Sequence, residues 1–111
     1  MERKIGIYGN YFEDFYLAQS QKVKDKIDYV LDIIKHVNHV PIKFLKHIEG
    51  TDGLYEIKVK TTFKNIRIFC FFDQGNLIIL TNCIEKKSQK TPGEPLDLAI
   101  KLKLEYFKTK N

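Results

Sequence analysis

The hydrophobic rhythm of the chain changes once, and that change limits the folds open to it. Phe12, Phe15, Tyr16, Val23, Ile27, Val30, Leu31 and Ile34 recur at spacings of three, four and seven, the period of a helix with one buried face. From Leu54 onward the period is two. Leu54 to Lys60, Asn65 to Phe72 and Leu77 to Ile84 read as strands, separated only by Thr61 to Lys64 and by Asp73-Gln74-Gly75-Asn76. Connections this short join antiparallel neighbours, so the three runs form a meander. At 111 residues the chain has room for one domain, residues 1–111, and its 43% hydrophobic content suffices for a core without disulfide staples.

Weaker signals fill in the rest. Lys4-Ile5-Gly6-Ile7-Tyr8 alternates as a short edge strand does, and Asn10 with Glu13 three residues later offers a cap for one long helix that stops before Pro41. Its other face holds Lys22, Lys24, Asp25, Lys26, Asp28 and Asp32, mixed in sign and suited to water rather than to a membrane. Ile42, Leu45 and Ile48 suggest one or two helical turns before Thr51-Asp52-Gly53. Leu96 to Phe107 reads as a C-terminal helix with Leu96, Ala99, Ile100 and Leu102 inward, introduced by Thr91, Pro92 and Glu94. The expected fold is α+β: two N-terminal helices packed on a small antiparallel sheet of three to four strands, with a C-terminal helix. There is no run of about 18 apolar residues and no secretory core at the N-terminus, so a cytoplasmic chain without membrane contact is expected. Cys70 and Cys83 read as free thiols, and with His36, His39 and His47 they make no zinc pattern.

The charge is unevenly placed. Residues 1–57 carry 8 basic and 9 acidic side chains, whereas Lys58, Lys60, Lys64, Arg67, Lys86, Lys87 and Lys90 face only Asp73 and Glu85 within residues 58–90. That stretch equals the net +5 of the whole chain, a field able to attract phosphates. Pairing Lys60 with Asn65 puts Lys58 opposite Arg67, and pairing Asp73 with Asn76 puts Arg67 opposite Asn82, with Glu56 one pleat away. Tyr55, Ile57, Val59, Ile66, Ile68, Cys70, Phe72, Leu77, Ile79 and Cys83 then form a face for the helices that is apolar except at Thr81. Phe69, Phe71, Ile78 and Leu80 form a greasy end on the other face, which needs a cover, either the C-terminal helix or a partner protein. Two cations placed directly opposite repel by up to about 1 kcal/mol. A sheet built only for stability avoids this, so the pair points to an anion site.

Three segments carry a resemblance: Gly53-Leu54-Tyr55-Glu56-Ile57-Lys58, Asn65-Ile66-Arg67-Ile68-Phe69-Cys70-Phe71-Phe72, and Glu85-Lys86-Lys87-Ser88-Gln89-Lys90-Thr91-Pro92 with Glu94, Ala99 and Lys101 beyond it. Together they resemble the phage-derived, HigB-like branch of the RelE/ParE superfamily of type II toxins. The resemblance implies a cytosolic endoribonuclease that needs no metal or other cofactor, cuts mRNA commonly on the ribosome, and is held inactive by a helix-turn-helix, HigA-like antitoxin through which alone operator DNA is bound. It gives Arg67 the role of stabilising the charged phosphorane. Lys58, standing where many members have Arg, keeps the charge but not the fork. Lys60, Lys64, Asn82, Lys86, Lys87 and Lys90 would hold RNA, with Lys87 or a neighbouring lysine as acid or base. Glu56 would serve as base or as the carboxylate that orients the cations. The alternatives are a ParE-like inhibitor of DNA gyrase and a catalytically inactive RelE-fold binding protein.

Overall fold

The three period-two runs pair as their short loops require, and two further strands extend the sheet at its edges. A computed structural model describes residues 2–87 and 92–110. The elements are β1 (Lys4–Ile7), α1 (Tyr11–Leu17), α2 (Gln21–His36), β2 (Leu45–His47), β3 (Leu54–Lys60), β4 (Asn65–Asp73), β5 (Leu77–Glu85) and α3 (Gly93–Lys110). The sheet has the order β1-β5-β4-β3-β2, with β1 parallel to β5 and the remaining neighbours antiparallel. It is therefore mixed and five-stranded, where a purely antiparallel sheet of three to four strands was expected.

Two local expectations need correction. The long N-terminal helix is two helices, because Ser20 leaves helical geometry and its hydroxyl accepts the Val23 N–H as the cap of α2. The apolar spacing runs through this break, since Phe12 of α1 and Val23, Ile27, Val30 and Ile34 of α2 join one core. Likewise, the threefold spacing at 42–48 does not make a helix. A single turn forms where the Phe44 and Leu45 amides bond to the Pro41 carbonyl, and Leu45–His47 then pairs with β3, Leu45 opposite Ile57. An unpaired sheet edge offers more backbone hydrogen bonds than a second short turn.

The β3–β4 register is the expected one, with Lys60 opposite Asn65 and Lys58 opposite Arg67. Between β4 and β5 the expected register fails by one residue. The hairpin loop is Gln74-Gly75-Asn76, with Asp73 opposite Leu77 and positive φ at Gln74 and Gly75. This turns Ile78 and Leu80 toward α1 and α2, and Leu77 and Ile79 toward α3, the reverse of the expected faces. A bulge follows. Thr81 and Asn82 together stand against Phe69, whose carbonyl accepts the Thr81 hydroxyl at 3.2 Å. The extra residue returns Cys83 to the α2 side, as expected, and leaves Ile84 rather than Asn82 opposite Arg67.

The sheet is covered on both faces. One core joins α2 to Ile57, Val59, Ile66, Ile68, Ile78 and Leu80; the other joins Ala99 of α3 to Leu54, Phe69, Phe71 and Ile79. The C-terminal helix is thus the cover for the greasy end, with Tyr106 and Phe107 against Phe71 at ring separations of 5.3 and 5.4 Å. Ile100, expected inward, is 38% exposed and lies outside the core. Tyr106 donates to Asp73 at 2.6 Å, and Lys110 holds the same carboxylate at 2.8 Å. Cys70 and Cys83 are free, and burial pushes the Cys83 thiol up to about 12 and Cys70 higher still.

Candidate nucleic-acid interface

Alternation along β3 and β4 sorts the side chains by chemistry. Ile57, Val59, Ile66 and Ile68 enter the α2 core, which leaves Glu56, Lys58 and Arg67 on the opposite face. Leu54, Phe69 and Phe71 on that face pack with α3, and the polar triplet occupies the end beyond them.

Arg67 is 8% exposed and Glu56 6%. The Arg67 Nε donates to Glu56 Oε1 at 3.1 Å, and its Nη1 donates to the Asn65 side-chain oxygen and to the Ile66 carbonyl. The guanidinium is thereby fixed in plane and direction by two neighbours on its own strand and one on the next. Its Nη2 takes no further bond among the described residues. A guanidinium held this way is organised to meet an anion before the anion arrives.

Lys58 sits directly opposite Arg67 and is half-buried. Burial pushes its ammonium below the usual lysine range; Glu56 opposes the fall, and Arg67, Lys46 and Lys86 add to it. Lys46, on β2, is paired with Glu56 and so shares this face. Sequence reasoning missed Lys46 because it read residues 42–48 as helical. It also missed Asn65, although a residue two before Arg67 on a strand must share its face.

The remaining expected residues divide into groups. Lys60, Lys64, Lys86 and Lys87 line one depression with Asn65 and the β3–β4 loop. Lys86 is held there by its own N–H, which donates to the Asn65 carbonyl at 2.6 Å. Lys64 also donates to Gln19 at 2.9 Å, which draws it toward the α1–α2 junction. Asn82, expected opposite Arg67, is instead a bulge residue whose amide donates to the Pro95 carbonyl at 3.0 Å and anchors the start of α3. Lys90 lies outside the described residues, as do Ser88, Gln89 and Thr91 of the lysine-rich segment.

His36 contacts Glu2 and Asp32, and His47 stacks edge-on with Tyr55. Neither is in the polar triplet. Among the described residues no group of three or more His, Cys, Asp or Glu side chains is placed to hold a metal ion, and no described helix is long and apolar enough to cross a membrane.

Chemically, the triplet provides a fixed cation, a lysine with a lowered pKa, and a carboxylate that orients the cation. Comparison with curated proteins finds no match. A family model described as phage derived protein Gp49-like (DUF891) matches residues 14–103. This span contains α2, every strand of the sheet except β1, and the whole polar triplet. The chain belongs to the phage-derived Gp49-like family, a family associated with RelE/HigB-like toxins.

Proposed function

We infer that the chain is the toxin of a type II toxin–antitoxin pair and that it cuts mRNA at the Glu56–Lys58–Arg67 triplet. The observation that carries this reading is the placement of Lys58 directly opposite Arg67 on adjacent strands, with Glu56 bonded to Arg67. Like charges paired this way cost stability; Glu56 offsets one of the two, which leaves one positive charge for a bound anion. Family membership supports the toxin assignment, and the charged depression around Lys60, Lys64, Lys86 and Lys87 supports an RNA backbone as the anion.

The reaction is attack of a ribose 2′-hydroxyl on the adjacent phosphorus. A bond forms between the 2′-oxygen and phosphorus, the bond from phosphorus to the 5′-oxygen breaks, and the products are a 2′,3′-cyclic phosphate and a 5′-hydroxyl. The 2′-proton leaves to a base, and the 5′-oxygen gains a proton from an acid. Arg67 stabilises the charge that builds on the phosphorane oxygens. Lys58 moves a proton, a role its lowered pKa suits better than it would an ordinary lysine. Glu56 positions Arg67, while Lys86 and Lys87 hold the strand. A helix-turn-helix antitoxin carrying an acidic segment over this face would silence the site, and the ribosome is the place where translated mRNA would be presented.

Inducing the wild-type chain in cells is expected to arrest growth and cut translated mRNA. Arg67→Ala, and independently the less buried Lys58→Ala, should relieve both. Arrest with intact mRNA and blocked DNA supercoiling would instead identify a gyrase inhibitor, and no arrest would leave a binding protein.

A further inference from the structure

The most exposed large hydrophobic side chain of the described residues is Phe63, at 93%. A single apolar side chain on a surface is ordinary; its surroundings are not. Phe63 stands at the tip of the β3–β4 loop, between two depressions. One is lined by Lys22, Lys26, Lys60 and Lys64, the other by Lys60, Lys64, Lys86 and Lys87, and Glu85 is the single acidic residue in either lining.

The loop is also ordered by its own bonds. The Thr61 N–H donates to the Lys64 carbonyl at 2.9 Å, and the Lys64 N–H donates to the Thr61 hydroxyl at 3.0 Å. Its turn therefore places Phe63 at an ordered, outward-facing position of the backbone. Phe63 is five positions from Lys58, so the Cα atoms of the two lie no more than about 18 Å apart.

An aromatic face set among cations is how proteins grip a single strand, with charge following the phosphates and the ring stacking on a base. We propose that Phe63 is a base-stacking platform that holds single-stranded RNA at the hairpin tip, a few nucleotides from the Lys58–Arg67 pair. The proposal rests on RNA as the ligand of that pair, and adds the residue that sets where along the strand the phosphate is placed.

The chain contains no tryptophan, so Phe63→Trp introduces a unique indole, excitable apart from the tyrosines, at an exposed position. Single-stranded oligoribonucleotide is expected to quench the indole, and an abasic strand of equal length to bind without quenching it. Phe63→Ala should weaken oligoribonucleotide binding about 5- to 150-fold, with the circular dichroism spectrum unchanged. Absence of oligoribonucleotide binding, equal quenching by the abasic strand, or undiminished binding by Phe63→Ala would each overturn the proposal. Nuclease activity is read separately from mRNA cuts in induced cells. Cuts without quenching would overturn stacking alone, and quenching without cuts would leave stacking standing and overturn the nuclease.

Discussion

Glu56 and Arg67 are both more than nine-tenths buried, so removing Glu56 leaves the Arg67 charge in the sheet interior without that ion pair. Glu56→Ala is predicted to lower stability by about 3–5 kcal/mol, read as a shift in the urea midpoint, while Lys87→Ala on the surface should change it by less than about 0.5 kcal/mol. Equal effects would mean that the pair is not a buried unit. Lys58 makes the opposite contribution. Its folded pKa lies below its unfolded value, so between the two the unfolded chain binds more protons and stability rises with pH. Lys58→Met should therefore be more stable than wild type at neutral pH, with the gain shrinking as pH climbs toward about 10.4; a gain independent of pH would contradict this. Glu56, Lys58 and Arg67 were legible in the sequence because the β3–β4 hairpin has a regular register. Asn65 was legible in principle, whereas Lys46 depended on an edge strand of three residues with no alternation to announce it.

Between elements, α2 carries the clearest signal and the most buried apolar side chains of any helix. Ile27 is fully buried against the sheet core, and Ile27→Ala is predicted to cost about 2–5 kcal/mol by chemical denaturation, with a cost below about 1 kcal/mol arguing against a rigid α2–sheet contact. The three strands of the meander could be read from their alternation, and so could the need for a cover over Phe69 and Phe71. The faces of β5 could not. Its run from Leu77 to Leu80 is apolar at every position, so both faces look alike, and a loop one residue longer than the shortest hairpin reversed them. The bulge at Thr81 and Asn82 then restored the expected side for Cys83 without any sequence signal beyond two polar residues in a greasy strand. Local chemistry marks such a bulge only once the partner strand is known.

Across the whole molecule, α3 closes the second face of the sheet and is held at its far end through Asp73. The Lys110 and Tyr106 bonds hold the Asp73 carboxyl below the usual carboxylate range. A depressed acid pKa stabilises the fold at pH values above its unfolded pKa and loses that effect as pH falls through the folded one. Melting temperatures of wild type and Asp73→Asn should thus differ most near neutrality and converge in acid; a constant difference would exclude ionisation as the cause. At the same scale, the net +5 of the chain equals the charge of residues 58–90. In the fold, Lys58 and Arg67 from this stretch form the central polar pair, and Lys60, Lys64, Lys86 and Lys87 line the depression beside the hairpin. The charge therefore has a place as well as a size. The most direct test of that reading is to sequence RNA 5′-hydroxyl ends in cells induced for wild type, Lys58→Ala or Arg67→Ala. The account predicts new 5′-hydroxyl ends within coding sequences for wild type and their loss in both variants; growth arrest by wild type with no such ends, or ends undiminished in both variants, would contradict it.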